Sequence, residues 1–156
     1  MNGFTLDELA AFVVRAKAAT YAGDGPRSLS HRPGSQDLEF HAGAFSYLDS
    51  YFGESDFIGQ EVVYFNGKPV WAMNYYGRIL EPTLIRAAEV GHILKESLSA
   101  MYREGRFLGG FERSTDKGTY VDTNDGDVTS FSGKEWIVRG NTRVYELLYH
   151  GGLIRE

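Results

Sequence analysis

The chain has 156 residues, 42% apolar and 24% charged, with a net charge of −5 and no cysteine. That composition predicts a globular fold burying about two-thirds of its unfolded surface. It argues against generic nucleic-acid or anionic-membrane binding, and it excludes disulfides, thiol nucleophiles and thiolate metal sites.

Residues 5–21 read as a helix: Thr5 and Glu8 have capping-box spacing, and Leu6, Leu9, Ala10, Phe12, Val13 and Ala16 form one apolar face. Asp7, Glu8, Arg15 and Lys17 interrupt this stretch, so it is not expected to be a signal peptide. No apolar run approaches a membrane span, and a soluble cytoplasmic protein is expected. Residues 22–36, rich in Gly, Pro and Ser with Arg27, His31 and Arg32, read as a long loop of the kind that forms lids, binding loops or linkers. Strand signal resumes at Leu38-Glu39-Phe40 and runs through Phe45, Tyr47 and Tyr51, with a bend expected at Gly43. Asn66-Gly67 predicts a two-residue hairpin turn. Pro82 opens a second predicted helix over about 83–103, with Leu84, Ala87, Gly91, Leu94, Leu98 and Met101 as its stripe and Gly105 as its cap. Strands are expected near 107–113, 118–123, 129–139 and 143–150.

Residues 47–77 recur at 120–151. Identical pairs are Tyr47/Tyr120, Asp49/Asp122, Gly53/Gly126, Phe57/Phe131, Gly59/Gly133, Glu61/Glu135, Val70/Val144, Tyr75/Tyr149 and Gly77/Gly151. Ordinary composition would give roughly two such matches. The reading is an α+β domain of two tandem repeats, about 1–80 and 81–156, each a helix followed by three or four antiparallel strands. Related by approximate two-fold symmetry, the halves would share a sheet or close a barrel-like core, with a ligand cleft at their junction.

Counting back from the Asn66-Gly67 turn pairs Glu61 with Ala72 and Gly59 with Asn74. One hairpin face then carries Glu61 among small neighbours, beside Asn74 and Tyr76, which outlines a pocket floor. The other face, with Trp71, Met73 and Tyr75, is assigned to the helix-packed core. A glutamate on such a floor would bind a cation or amine, or act as acid/base once burial raised its pKa; a solvent-facing Glu is the plainer alternative. The same count sets Glu135 opposite Glu146, a repulsive pair unless a proton, cation or arginine intervenes. Asp49 and Asp122, each before Ser or Thr, read as makers of local backbone bonds.

Asp122 to Gly133 lacks the spacing of a calcium loop. His31, His41, His92 and His150 show no ligand spacing, and no Walker, GxSxG, HExxH or GxGxxG motif is present. No metal or cofactor is expected. Arg27, His31 and Arg32 would clamp an anion or remain solvated.

Several stretches are distinctive: Arg32-Pro33-Gly34-Ser35 through Asp37-Leu38, Tyr47 to Gly53, Phe57-Ile58-Gly59-Gln60-Glu61, and Pro69-Val70-Trp71-Ala72-Met73-Asn74-Tyr75-Tyr76-Gly77. They resemble an uncharacterised bacterial and archaeal domain-of-unknown-function family, in some members appended to XRE-type helix-turn-helix regulators. The resemblance implies the sensory or partner half of a regulator. No room for a DNA-binding helix pair precedes residue 5, so direct DNA binding is not expected. A looser analogy is to duplicated effector-binding domains that take small hydrophobic or cationic molecules with a central Glu.

The leading expectation is a small-molecule-binding, sensor-type domain: Glu61 as anchor, Asn74 as hydrogen-bonder, Tyr47 and Tyr76 as aromatic walls, Arg32 and Asp37 as a loop gate, with Trp71 and, in the second copy, Glu135 as further ligand-binding residues. The alternatives are an acid/base enzyme using Glu61 or Glu135, and a protein-interaction module. The partners expected are a small molecule and a regulatory protein or a second copy.

Overall fold

The computed structural model describes residues 3–21 and 27–156. Its elements are α1 (Leu6–Ala19), β1 (Arg27–Ser28), β2 (Gln36–Ala42), β3 (Phe45–Gly53), β4 (Phe57–Phe65), β5 (Lys68–Ile79), α2 (Ala87–Arg103), β6 (Phe111–Thr115), β7 (Gly118–Asp127), β8 (Ser130–Arg139) and β9 (Thr142–Leu153). The fold is α+β. All described strands lie in one antiparallel sheet, ordered β1-β2-β3-β4-β5-β9-β8-β7-β6. Neither helix is long and apolar enough to cross a membrane.

The capping box of α1 forms as expected: the Thr5 hydroxyl accepts from Glu8 N at 3.1 Å, and Thr5 N donates to Glu8 at 2.7 Å. Gly43 does not bend a strand; it reverses the chain. With φ +62° it occupies a left-handed position that glycine takes without steric cost. Ala42 pairs with Phe45 across it, so the predicted single strand is two, β2 and β3. Helix α2 starts at Ala87, about one turn later than Pro82 suggests. Residues 22–26 of the predicted loop lie outside the described residues; its remainder contributes β1 and a short connection to β2.

Both helices pack on the same face of the sheet. Phe12 of α1 stacks on Phe45 with centroids 4.9 Å apart and meets Phe40 at 5.7 Å. Trp71 stacks on Phe131 at 5.7 Å, its indole N–H donating to Val128 O at 3.0 Å. Trp71 is thus a core residue between the two hairpins.

The register departs from the count made on sequence. Phe65 pairs with Lys68 as expected, but Val63 pairs with Trp71, leaving Val70 as an extra residue. Glu61 therefore faces Met73, and Gly59 faces Tyr75. In the second hairpin Ile137 pairs with Tyr145, Val144 is the extra residue, and Glu135 faces Leu147. Each extra residue is a β-bulge, and a one-residue slip moves a whole strand's side chains to the opposite face. Glu61 thus shares the helix-covered face with Trp71, Met73 and Tyr75, whereas Asn74 and Tyr76 face outward. The expected Glu135–Glu146 opposition does not occur; Glu146 points outward toward Arg78 and Lys134.

The bulge carbonyls are satisfied by returning chain. Val70 O accepts from Ile154 N at 2.9 Å, and Val144 O accepts from Leu80 N at 2.8 Å.

Candidate functional site

Between the sheet and the two helices lies a cavity of about 450 Å³, within the range of small-molecule sites. Its walls include four buried carboxyls: Asp49 on β3, Glu61 on β4, Asp122 on β7 and Glu135 on β8.

Tyrosines hold them. The Tyr47 hydroxyl donates to Glu61, and Tyr120 donates to Glu135, both in short contacts. Tyr75 donates to Asp49 at 2.6 Å, and Tyr149 donates to Asp122 at 2.7 Å. The latter two rings lie across intervening strands. Tyr75 on β5 passes over Gly59 on β4 to reach β3, and Tyr149 on β9 passes over Gly133 on β8 to reach β7. A Cβ at Gly59 would lie 2.6 Å from the Tyr51 Cβ and closer still to the Tyr75 hydroxyl; one at Gly133 would overlap the Tyr149 ring. Asp, Gly, Glu and both Tyr recur in the sequence because together they form this lattice. Asp49 and Asp122 thus accept long-range side-chain bonds, where short-range backbone bonds were expected.

The remaining contacts differ between the two carboxyl groups of each type. Lys17 descends from α1 onto Glu61, its Nζ 2.8 Å from one carboxylate oxygen and 2.9 Å from the other. The ammonium also meets the Met73 sulfur at 3.7 Å and lies 5.5 Å from the Phe107 ring centroid. Glu135 receives instead a second hydroxyl, Tyr145, at 3.1 Å. Among the described residues no lysine or arginine lies within ion-pair distance of Glu135 or Asp122. From α2 the neighbouring titratable group is Tyr102, whose hydroxyl is raised by burial and by Glu61, Glu135 and Asp122 around it.

Burial pushes the Glu135 carboxyl up to about 7, against the pull of its tyrosine bonds. Asp49 rises to about 8, through burial first and the Glu61 charge second. Burial also raises Asp122. The folded state therefore holds these protons more tightly than the unfolded chain, whose carboxyls titrate near ~4. Their contribution to stability is full below that value and is lost as pH rises through about 7 and 8. The expected outcome is a melting temperature for the ligand-free protein that falls by several degrees between pH 6 and pH 9, checked by calorimetry. A flat or rising profile would contradict it.

Asp37 behaves oppositely. Burial raises it, but hydrogen bonds from Ser50 and the His31 backbone outweigh that and hold it below the ordinary carboxylate range. Arg32 donates to the Ser50 carbonyl and hydroxyl at 3.2 and 3.0 Å and lies over the Phe52 ring. Arg32 and Asp37 thus tie the 29–35 connection to the outer side of the sheet, away from the cavity. Tyr47, Glu61 and Glu135 line the cavity together. Asn74 is exposed on the outer side, its amide oxygen accepting from Gln60 at 2.8 Å, and Tyr76 is exposed beside Ile58 and Leu148. Asn74→Ala is accordingly expected to change the affinity of any cavity ligand by less than about twofold in a calorimetric titration, since small surface changes away from a site are near neutral.

The geometry defines the class: an α+β domain whose antiparallel sheet and two covering helices border a half-open cavity lined by carboxyls and tyrosines. The chain belongs to the family described as domain of unknown function (DUF5680), whose model matches residues 49–154, more than half of its length. No match was found among curated proteins or among solved structures.

Proposed function

We propose that this is a small-molecule-binding, sensor-type domain and that its site is the cavity between sheet and helices. One observation carries this reading: the chamber of about 450 Å³ combines aromatic walls with four buried carboxyls. A core evolved only for stability would fill that space with apolar side chains, because burying carboxyls is costly.

The same proposal includes the duplication. Tyr75 pairs with Tyr149 between β5 and β9, flanked by Met73 with Gly151 and Gly77 with Leu147. A two-fold axis through the tyrosine pair would exchange the flanking pairs. It would also exchange the two bulges, the two Tyr-to-Glu bonds and the two Tyr-to-Asp bonds. The cavity then lies at the junction of two halves of one ancestral unit. Occupancy would be passed to a regulatory protein or a second copy.

A library screen by thermal shift tests the site. Gly91 of α2 borders the cavity, and among the described residues a Cβ there would meet only the Tyr21 hydroxyl, at 4.0 Å. Gly91→Phe should fold with little change in melting temperature, since removing a helical glycine offsets some crowding, and should lose the hits. Hits that persist in it would place binding elsewhere.

A second reading, acid/base catalysis, is favoured by the Glu135 carboxyl near 7, a value suited to proton transfer at neutral pH. In that reading Glu135 is the working group, because Glu61 is bonded to Lys17. Turnover abolished by Glu135→Gln, with binding retained, would select it.

A further inference from the structure

The two glutamates of the chamber stand in like surroundings with one exchange: Glu61 meets the Lys17 ammonium where Glu135 takes a second hydroxyl, that of Tyr145. Each takes a hydroxyl from the tyrosine two residues before its cross-strand aspartate, Tyr47 for Glu61 and Tyr120 for Glu135. Each lies beside an aspartate held by a second tyrosine. Glu61 already carries an alkylammonium, that of Lys17, gripped by both carboxylate oxygens and set near a thioether and an aromatic ring. The protein therefore contains a worked example of what this carboxylate environment holds: a primary amine on an apolar stem. The example exists on one side only.

We infer that the cavity takes a small organic monocation, a primary amine on an apolar body, and that its ammonium seats against Glu135 and Asp122 while Lys17 reserves Glu61. This inference rests on the cavity being the binding site. Four buried carboxyls face the space with the buried Lys17 among them, and the exposed Glu54 and Arg27 also line it. An anionic ligand would meet repulsion from several sides. A neutral ligand would leave the carboxyls as they are. An ammonium gains charge-assisted bonds in a low-dielectric site, where such contacts are strong, and the tyrosine faces suit a cation. The apolar body has Leu94, Leu98, Leu147 and Phe57 to lie against.

Binding is then linked to protons. The groups facing Glu135 are Tyr120 and Asp122 from β7, Tyr145 and Tyr149 from β9, Tyr102 from α2 and Lys17 from α1. The β4 and β3 carboxyls, Glu61 and Asp49, lie further along the same wall. The tyrosines are all held neutral by burial, so an arriving ammonium displaces a proton from a carboxyl. Affinity rises as pH climbs toward about 7, where Glu135 ionises, by at most about tenfold per unit for one proton.

The test is calorimetric titration of the full chain with three probes on one skeleton: 4-phenylbutylammonium, 4-phenylbutanol and 4-phenylbutanoate. The expected order is ammonium tighter than alcohol by at least about tenfold, with no binding of the carboxylate. In Glu135→Gln, which mimics the protonated side chain and should fold, the ammonium should bind no more than about threefold tighter than the alcohol. Ammonium affinity in the unaltered protein should rise from pH 6 to pH 8. If alcohol and ammonium bind equally, and both are lost in Gly91→Phe, the cavity is a small-molecule site but the inferred ligand class is wrong. Ammonium binding that ignores both Glu135→Gln and pH would overturn the inferred seat. If no probe binds while library hits still depend on Gly91, only the ligand class falls; if no library hit binds either, the site reading falls with it.

Discussion

Replacing Lys17 with Met is expected to destabilise the protein by about 3–5 kcal/mol, the cost of leaving one partner of a buried ion pair without the other. Lys17 and Glu61 are both buried, and they meet at 2.8 Å. Without the ammonium, the Glu61 carboxylate stays beside Asp49 and, among the described residues, keeps the Tyr47 hydroxyl as its close donor. Removing both charges, as Lys17→Met with Glu61→Gln, should recover most of the loss, because the amide still accepts from Tyr47. Urea denaturation of the two variants is the check. A Lys17→Met loss under about 1 kcal/mol would show that the pair is solvated and the roof is not closed over it.

The second large effect is expected at the crossing glycines. Gly59→Ala or Gly133→Ala should each cost about 1.5–4.5 kcal/mol: overpacking typically takes about 1–3 kcal/mol, and a lost hydrogen bond takes about 0.5–1.5 kcal/mol. The added methyl collides with the ring of Tyr75 or Tyr149, which must leave its aspartate. A companion substitution distinguishes this cause from general backbone strain. In Gly133→Ala with Tyr149→Leu the ring is gone, so adding the methyl to a Tyr149→Leu background should cost less than about 1 kcal/mol. An unchanged penalty in that background would remove the tyrosine crossing from the explanation.

The paired residues of the lattice were legible because identical residues lie at fixed offsets in the sequence. Every residue of the carboxyl lattice except Lys17 and Tyr145 was among the identical pairs, and the two helices and most strands follow from spacing and turn residues. What misled was the register. A bulge carries no single residue code, and a count from a well-read turn passes silently through it. Here the consequence was large: Asn74 and Tyr76 were set beside Glu61, while Met73 and Tyr75, its true neighbours, were sent to the other face. One sign was present. Pro69 sits at the bulge, paired with Tyr64, and proline inside a strand favours an edge or a bulge. The recurrence of Val70 as Val144 was a second sign, since both are the extra residues.

Lys17 was overlooked for a different reason. In the sequence it counts against a signal peptide, yet it follows Val13 by four positions, which places it on the buried stripe of α1. A lone charge on an apolar helix face asks for a buried partner, and Glu61 is that partner. Tyr75 and Tyr149 were visible as a repeated pair. Their reach across a glycine to an aspartate two strands away required the corrected register.

The most direct measurement is a carboxyl-carbon NMR titration of the ligand-free protein, with the Glu135 signal assigned by its disappearance in Glu135→Gln. Burial of the four carboxyls predicts that Glu135 titrates near 7 and that an aspartate, Asp49, titrates near 8. Titration of every side-chain carboxyl below about 5, in the ordinary range, would mean that water reaches all four groups, and would contradict the buried carboxyl site on which the functional reading depends.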